Sequence, residues 1–452
     1  MEITENKEYI ITIDSVSSDG SGVGHINGLT VFIPLAVTGD TVQVIITKLK
    51  KHYAYGRIIK IIKPSSWRTA EKCPHSEKCG GCQLSHINYD CQLKIKKEII
   101  ENSMRRIGGF DKFRLDGITG MDTPYHYRNK TIFKIGNKDE NNNICGFYER
   151  KSHNIVPIED CIIGSKLNRT INKAVIDYMN NCNVSAYNEK THKGTIRHIF
   201  TRVSFSTNEF MVVISANAYT LPNKDYLIAN LKNISNKITG VILNVNTKKN
   251  TPLLGKKNIV LWGKGTITDT ICGIQFYISP ESFFQINPIQ TEKLYNKAIE
   301  YANITHDMTV MDIYCGIGTI SLCAAKYAKK VIGIEIVEKA ISDAKKNAEL
   351  NNIKNTEFYA DSAENIVPEL LEQNIKPDIV ILDPPRKGSD ETTLSAIIKA
   401  QPKRIVYISC NSATLARDSR YIADSGYTIS KAHGFDLFPH TIHAETIILF
   451  EK

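Results

Sequence analysis

Two uninterrupted apolar runs constrain the fold more than any other feature of the chain. Ile379-Val380-Ile381-Leu382 leads into Asp383-Pro384-Pro385-Arg386, and Arg404-Ile405-Val406-Tyr407-Ile408 leads into Ser409-Cys410-Asn411. Runs without polar alternation need protein on both faces and read as buried strands. Upstream, from about residue 279, strand and helix patterns alternate: helix 290–301, strand 309–313, helix 321–328, strand 331–335 and helix 339–351. This rhythm predicts a mostly parallel, doubly wound sheet. Such sheets bind ligands beyond the carboxyl ends of their strands, so the two tips would present the Asp383 carboxylate and the Cys410 thiol to one crevice. A free Cys taken alone more often packs in a core than reacts.

A chain of 452 residues is too long for one ordinary core and suggests about three domains. No run of eighteen apolar residues occurs, so no membrane span is expected. The acidic start, Met1-Glu2-Ile3-Thr4-Glu5-Asn6, lacks a signal-peptide core, and a cytoplasmic monomer is expected. In that compartment the eleven Cys should be thiols or metal ligands rather than disulfides. A net charge of +10 favours a polyanionic partner.

Residues 1–63 read as a small β-barrel of OB-like type. Apolar alternation recurs over 9–16, 29–35, 42–47 and 53–62, separated by Asp19-Gly20-Ser21-Gly22, Asn27-Gly28 and Gly39-Asp40. From Thr41 to Ala70 there is no acid, while Lys48, Lys50, Lys51, Arg57, Lys60, Lys63 and Arg68 accumulate. A one-signed barrel surface suits a phosphate backbone, although a charged edge also deters aggregation. The segments Ser18 to Gly24 and Val31-Phe32-Ile33-Pro34 resemble the TRAM domain, an RNA-binding barrel.

After the linker Pro64-Ser65-Ser66-Trp67 comes Cys73-Pro74-His75-Ser76-Glu77-Lys78-Cys79-Gly80-Gly81-Cys82. Three Cys with gaps of five and two residues, and two Gly at the bend, look like a metal loop. Spacing alone leaves zinc and iron–sulfur open, with Cys91, Cys145 and Cys161 as candidates for a fourth ligand. Residues 64–278 read as a mixed α+β domain carrying this loop, and residues 279–452 as a Rossmann-like α/β domain.

Asp312-Ile313-Tyr314-Cys315-Gly316-Ile317-Gly318-Thr319 follows a strand and opens a helix. Its two Gly allow close approach of a ligand, but Ser321 stands where a dinucleotide fingerprint has its third Gly. Glu335 closes the next strand, placed to accept from a ribose diol. A Gly turn with an acid on the second strand is the arrangement used by S-adenosylmethionine enzymes.

Over nearly its whole length the chain resembles the RNA 5-methyluridine methyltransferases. The matching stretches are Ser282-Phe283-Phe284-Gln285-Ile286-Asn287, Asp312 to Gly318, Asp383 to Gly388, Ser409-Cys410-Asn411 and His443-Ala444-Glu445. The barrel and Cys loop look like the RumA-type branch, which modifies 23S ribosomal RNA; the transfer-RNA branch typically lacks both. The resemblance implies a [4Fe–4S] cluster on Cys73, Cys79, Cys82 and Cys161, and S-adenosylmethionine held by Gln285, Tyr314, Glu335 and Asp383. It also implies that a helix within about 85–118 packs on the catalytic domain.

The chemistry is then set by uracil. Its carbon 5 becomes nucleophilic only after a thiolate adds to carbon 6, which is the role expected of Cys410. The carbon 5 proton must later be removed, by Glu445 at the mouth of the final strand, or failing that by His443. Phe283 is expected to stack on the base, and Asp383, Arg128 and Lys130 to touch the RNA. The rivals are transfer-RNA methylation, a radical methylthiotransferase, whose cluster needs a CxxxCxxC loop, and a non-catalytic RNA-binding factor, which needs neither Cys410 nor Glu445.

Overall fold

The computed structural model describes residues 3–139, 142–249 and 253–452. Strands Glu8–Val16, Gly22–Ile26, Leu29–Ile33, Thr41–Leu49 and Tyr53–Lys63 close into a barrel. Its interior is aliphatic: Ile11, Ile13, Val31, Ile33, Val42, Val44, Ile46 and Ala54. Gly22–Ile26, which the turn residues before it obscure in the sequence, runs so close to the first strand that a side chain on Gly24 would meet the Thr12 carbonyl at 2.6 Å. Buried Asp40 fastens the barrel to the linker at its carboxyl end. Its carboxylate accepts from the Val37 and Ser65 amides and from the Arg68 guanidinium at 2.7–3.1 Å.

The Cys73 loop comes next. A [4Fe–4S] cluster on Cys73, Cys79, Cys82 and Cys161 is not supported, which corrects the central-domain expectation. Among the described residues no group of three or more His, Cys, Asp or Glu is placed to hold a metal ion, and all four cysteines are free thiols. Ordinary contacts hold the loop instead: Arg150 donates to the Ser76 and Cys82 carbonyls at 3.1 and 2.6 Å, and the Gly80 amide to Tyr148 O at 3.1 Å. Burial pushes the Cys82 thiol up to about 12, with repulsion from Cys161, Cys79 and Cys73 adding to it.

Helix Tyr89–Arg106 starts on an Asn88 cap that accepts from the Cys91 amide at 3.0 Å. It packs on helix Ser412–Asp424, and the short strand Gly117–Thr119 behind it joins the carboxyl-terminal sheet beside Thr428–Phe435. The central region is a mainly antiparallel sheet of seven described strands in the order Lys257–Gly263, Ile238–Val245, Phe210–Ala216, Ile196–Val203, Lys130–Asp139, Asn142–Tyr148 and Ile155–Pro157. Helices Asn168–Asn181 and Lys224–Ile234 cover one face. Phe200, Met211, Val213 and Ile242 face the other way, into the core of the carboxyl-terminal region. This two-sided burial explains why every residue of Phe210–Ala216 is buried.

The carboxyl-terminal sheet has the described order Thr356–Tyr359, Lys330–Ile334, Thr309–Ile313, Ile379–Leu382, Arg404–Ser409, Glu445–Glu451, Thr428–Phe435 and Gly117–Thr119. The first five are parallel, and Glu445–Glu451 inserts antiparallel to its neighbours. This is a doubly wound α/β sheet. The order reverses between Thr309–Ile313 and Ile379–Leu382, the switch point at which such sheets open a crevice.

Candidate active site

A cavity of about 960 Å³ opens at that switch point. Two walls come from turns forced by the sheet. On one side the chain leaves Thr309–Ile313 through Tyr314, Gly316 and Gly318, all at positive φ (67°, 56° and 81°). The Tyr314 and Cys315 amides both donate to Ile334 O, at 3.0 and 3.1 Å, which pins the turn to the next strand. A side chain at Gly316 would meet open space, whereas one at Gly318 would press on Ala344 and Phe358 at 3.2 Å. Gly316 therefore lets a ligand reach the backbone and Gly318 lets the helix pack. Glu335 accepts from the Gly316 amide at 3.3 Å and the Val337 amide at 3.0 Å, which aims its carboxylate at the turn.

The other wall holds Asp383, Cys410 and Glu445, at the ends of three neighbouring strands. Asp383 accepts from Gln285 Nε2 at 3.3 Å, and burial raises its carboxyl to about 7 against that bond. Glu445 is 3% exposed, and its Oε2 has no hydrogen-bond partner among the described residues. Burial, followed by the Asp383 charge, holds its carboxyl well above the usual range, and Arg386 opposes this. Burial pushes the Cys410 thiol up to about 12, reinforced by Glu445 and Asp383 and opposed by Arg386. Asn411, the next residue, caps helix Ser412–Asp424 and donates to Arg386 O at 3.0 Å, which ties the two tips together.

The lining brings together Gln285, Tyr314, Glu335, Asp383, Cys410 and Glu445, together with Phe283, Arg128 and Lys130. Phe283 is 65% exposed. Lys130 is lowered to about 8 by burial and by the Arg202 and Arg128 charges, and Arg128 Nε lacks a partner among the described residues. The 282–287 loop is held by Asn129, whose side chain donates to Gln285 O at 2.9 Å, and by Arg202 on the Ser282 carbonyl. His443 does not line the cavity; burial, with Arg386, Lys96 and Arg128, lowers its imidazole to about 4. The metal-ligand candidates lie outside the cavity. Sequence reasoning gives Arg386 no role, yet its charge acts on both Cys410 and Glu445. It also passes over Asp361, Ser362, Ile336 and Val337 at the cavity rim, whose only signal is position, just beyond two strand ends.

Comparisons with known proteins agree with this architecture. The model for tRNA (Uracil-5-)-methyltransferase matches residues 88–452, and the TRAM domain model matches residues 3–59. A protein named as an RNA methyltransferase from Clostridium tetani is 44% identical, covering 99% of this chain and 97% of its own. One from Caldanaerobacter subterraneus is 43% identical, covering 99% and 98%. Among solved structures, the Pyrococcus abyssi tRNA (uracil-54, C5)-methyltransferase in complex with S-adenosyl-L-homocysteine has a TM-score of 0.78 at 26% identity, covering 98% of this chain and 100% of that one. The chain belongs to the tRNA (Uracil-5-)-methyltransferase family, preceded by a TRAM domain, and is an S-adenosylmethionine-dependent RNA methyltransferase.

Proposed function

We propose that this enzyme methylates carbon 5 of a uridine in 23S ribosomal RNA, with Cys410 as nucleophile at carbon 6 and Glu445 as the base that removes the carbon 5 proton. The observation that carries this reading is the convergence of a thiol and a buried carboxylate, one oxygen of which has no hydrogen-bond partner among the described residues, on one cavity that also holds an open Gly turn. S-adenosylmethionine supplies an electrophilic methyl group on a positively charged sulfur. The residues present suit such a group: Asp383, which lines the cavity, is raised to about 7 by burial, and a fixed positive charge there would relieve it. Glu335, Tyr314 and Gln285 are positioned to hold its polar portions.

Cys410 must lose its proton to attack, and burial opposes that loss. Arg386 stabilises the thiolate, and any neutralisation of Asp383 removes a repelling charge. Once sulfur is bonded to carbon 6 and carbon 5 carries the new methyl, Glu445 takes the carbon 5 proton. The electron pair left behind re-forms the double bond between carbons 5 and 6 as the carbon–sulfur bond breaks, returning the thiolate. A carboxylate whose proton affinity is raised is a stronger base for this step than an exposed Glu. Phe283 stacks on the displaced base, and Arg128 and Lys130 hold flanking phosphates.

The ribosomal target rests on the barrel and on the resemblance to the branch that carries one. A transfer-RNA target is the second reading, favoured by the Pyrococcus enzyme's description and by its coverage of 98% of this chain, barrel included. Incubation with methyl-labelled S-adenosylmethionine and either a 23S fragment or bulk transfer RNA separates them. Label recovered as 5-methyluridine from the 23S fragment supports the first reading; label only in transfer RNA replaces it with the second.

A further inference from the structure

The barrel carries three aromatic rings that its own core does not use. Strands Leu29–Ile33 and Tyr53–Lys63 pair in parallel, with Thr30 opposite Tyr53 and Phe32 opposite Tyr55. The inward residues on these strands are Val31, Ile33 and Ala54. Alternation therefore turns Phe32, Tyr53 and Tyr55 outward, where all three are half-buried. They form one cluster, with centroids 5.8 Å apart for Phe32 and Tyr53, 5.9 Å for Phe32 and Tyr55, and 5.6 Å for Tyr53 and Tyr55. Lys151, from the central region, sits 5.4 Å over the Tyr55 ring, and Lys48 pairs with Tyr55 across the strands. Tyr53 and Tyr55 lie within the acid-free window from Thr41 to Ala70, and Phe32 lies on the strand paired with it. Asp19, whose charge reaches Tyr55, is occupied by Ser17 and Ser21.

We infer that Phe32, Tyr53 and Tyr55 form a base-stacking platform for a single-stranded segment of the RNA substrate, separate from the catalytic cavity. This rests on the RNA-methyltransferase reading and deepens it by assigning the barrel unpaired bases as well as phosphates. Aromatic faces flanked by cations match a strand whose bases are splayed and whose backbone is anionic. A duplex keeps its base faces stacked internally and offers the rings nothing. Cross-strand aromatic pairs also steady a sheet, and the test separates the two roles.

Binding of the full-length protein to a labelled single-stranded RNA of about twenty nucleotides, long enough for such a platform and its flanking phosphates, is compared with binding to the same sequence as a duplex. Tyr55→Leu and Phe32→Leu should each weaken single-strand binding at least about fivefold, the low end for loss of one stacked base, and leave duplex binding within twofold. The slope of log Kd against log salt should not change, because no phosphate contact is lost. Tyr55→Phe keeps the ring and should bind like wild type, and thermal unfolding of each variant identifies one that fails to fold. Wild-type single-strand affinity in folded Tyr55→Leu and Phe32→Leu overturns the platform, as does an equal loss on duplex. No turnover is needed: tight, ring-dependent binding without uridine methylation would refute the function and keep the platform.

Discussion

Three buried carboxyls, Asp312, Asp383 and Glu445, share the region around the cavity, and burial raises the proton affinity of each. A group with a raised folded-state pKa stabilises the protein below its unfolded value and loses that contribution as pH rises through the folded value. The ligand-free enzyme should therefore lose stability between about pH 4 and 7. Asp383→Asn, which keeps a partner for Gln285, should restore on the order of 1–3 kcal/mol at pH 7.5, read as a shift in urea midpoint. The same titration predicts a contrast between ligands. S-adenosylmethionine, a cation at sulfur, should bind tighter as pH rises from 5.5 to 7, by at most about tenfold per unit for one linked proton. S-adenosylhomocysteine, neutral at sulfur, should respond much less. Calorimetric Kd values with equal slopes for the two would contradict the assigned carboxyl. The sequence shows these acids as three unconnected letters, because their proton affinities depend on burial that only the folded sheet supplies.

Helix Tyr89–Arg106 lies within the 85–118 stretch where a helix packing on the catalytic domain is expected, but the buried contacts that hold it there are not legible. Lys96 looks like a surface position, yet it is fully buried, with Nζ 2.5 Å from Asp436 Oδ1 and 3.1 Å from Phe438 O. Tyr89 donates to the other Asp436 oxygen at 2.9 Å, and Gln92 accepts from the His440 amide at 3.0 Å. The helix thus grips the segment that delivers Phe438 to the cavity and leads to Glu445. The partner of Lys96 lies 340 positions away, a separation no local pattern reports. Lys96→Met would leave the Asp436 charge buried without its counter-ion and should cost about 3–5 kcal/mol; Lys96→Met with Asp436→Leu should recover most of it. Urea unfolding measures both, and additive losses in the double variant would contradict a specific pair. The Cys73 loop shows the converse. Its local spacing reads as a metal site, but convergence of the fourth ligand depends on chain path, and the described residues offer no metal-holding group. The strand rhythm after residue 279 survives translation into structure because each element carries its own apolar signature.

At the scale of the whole molecule, the net charge of +10 favours a polyanionic partner such as RNA. Replacing Lys50 and Lys51 together with Gln should lower the magnitude of the salt slope for RNA binding by about 1.4–1.8, the release from two phosphates; an unchanged slope would place the RNA elsewhere. The central claim is that Cys410 and Glu445 act in turn on one covalent adduct. Its most direct test is a denaturing gel after incubation with methyl-labelled S-adenosylmethionine and an RNA substrate. Cys410→Ala should give no protein–RNA adduct and no methylated uridine. Glu445→Gln should accumulate an adduct that carries the methyl label, because an amide cannot accept the carbon 5 proton. Methylated uridine from Cys410→Ala, or normal turnover by Glu445→Gln, would contradict the account.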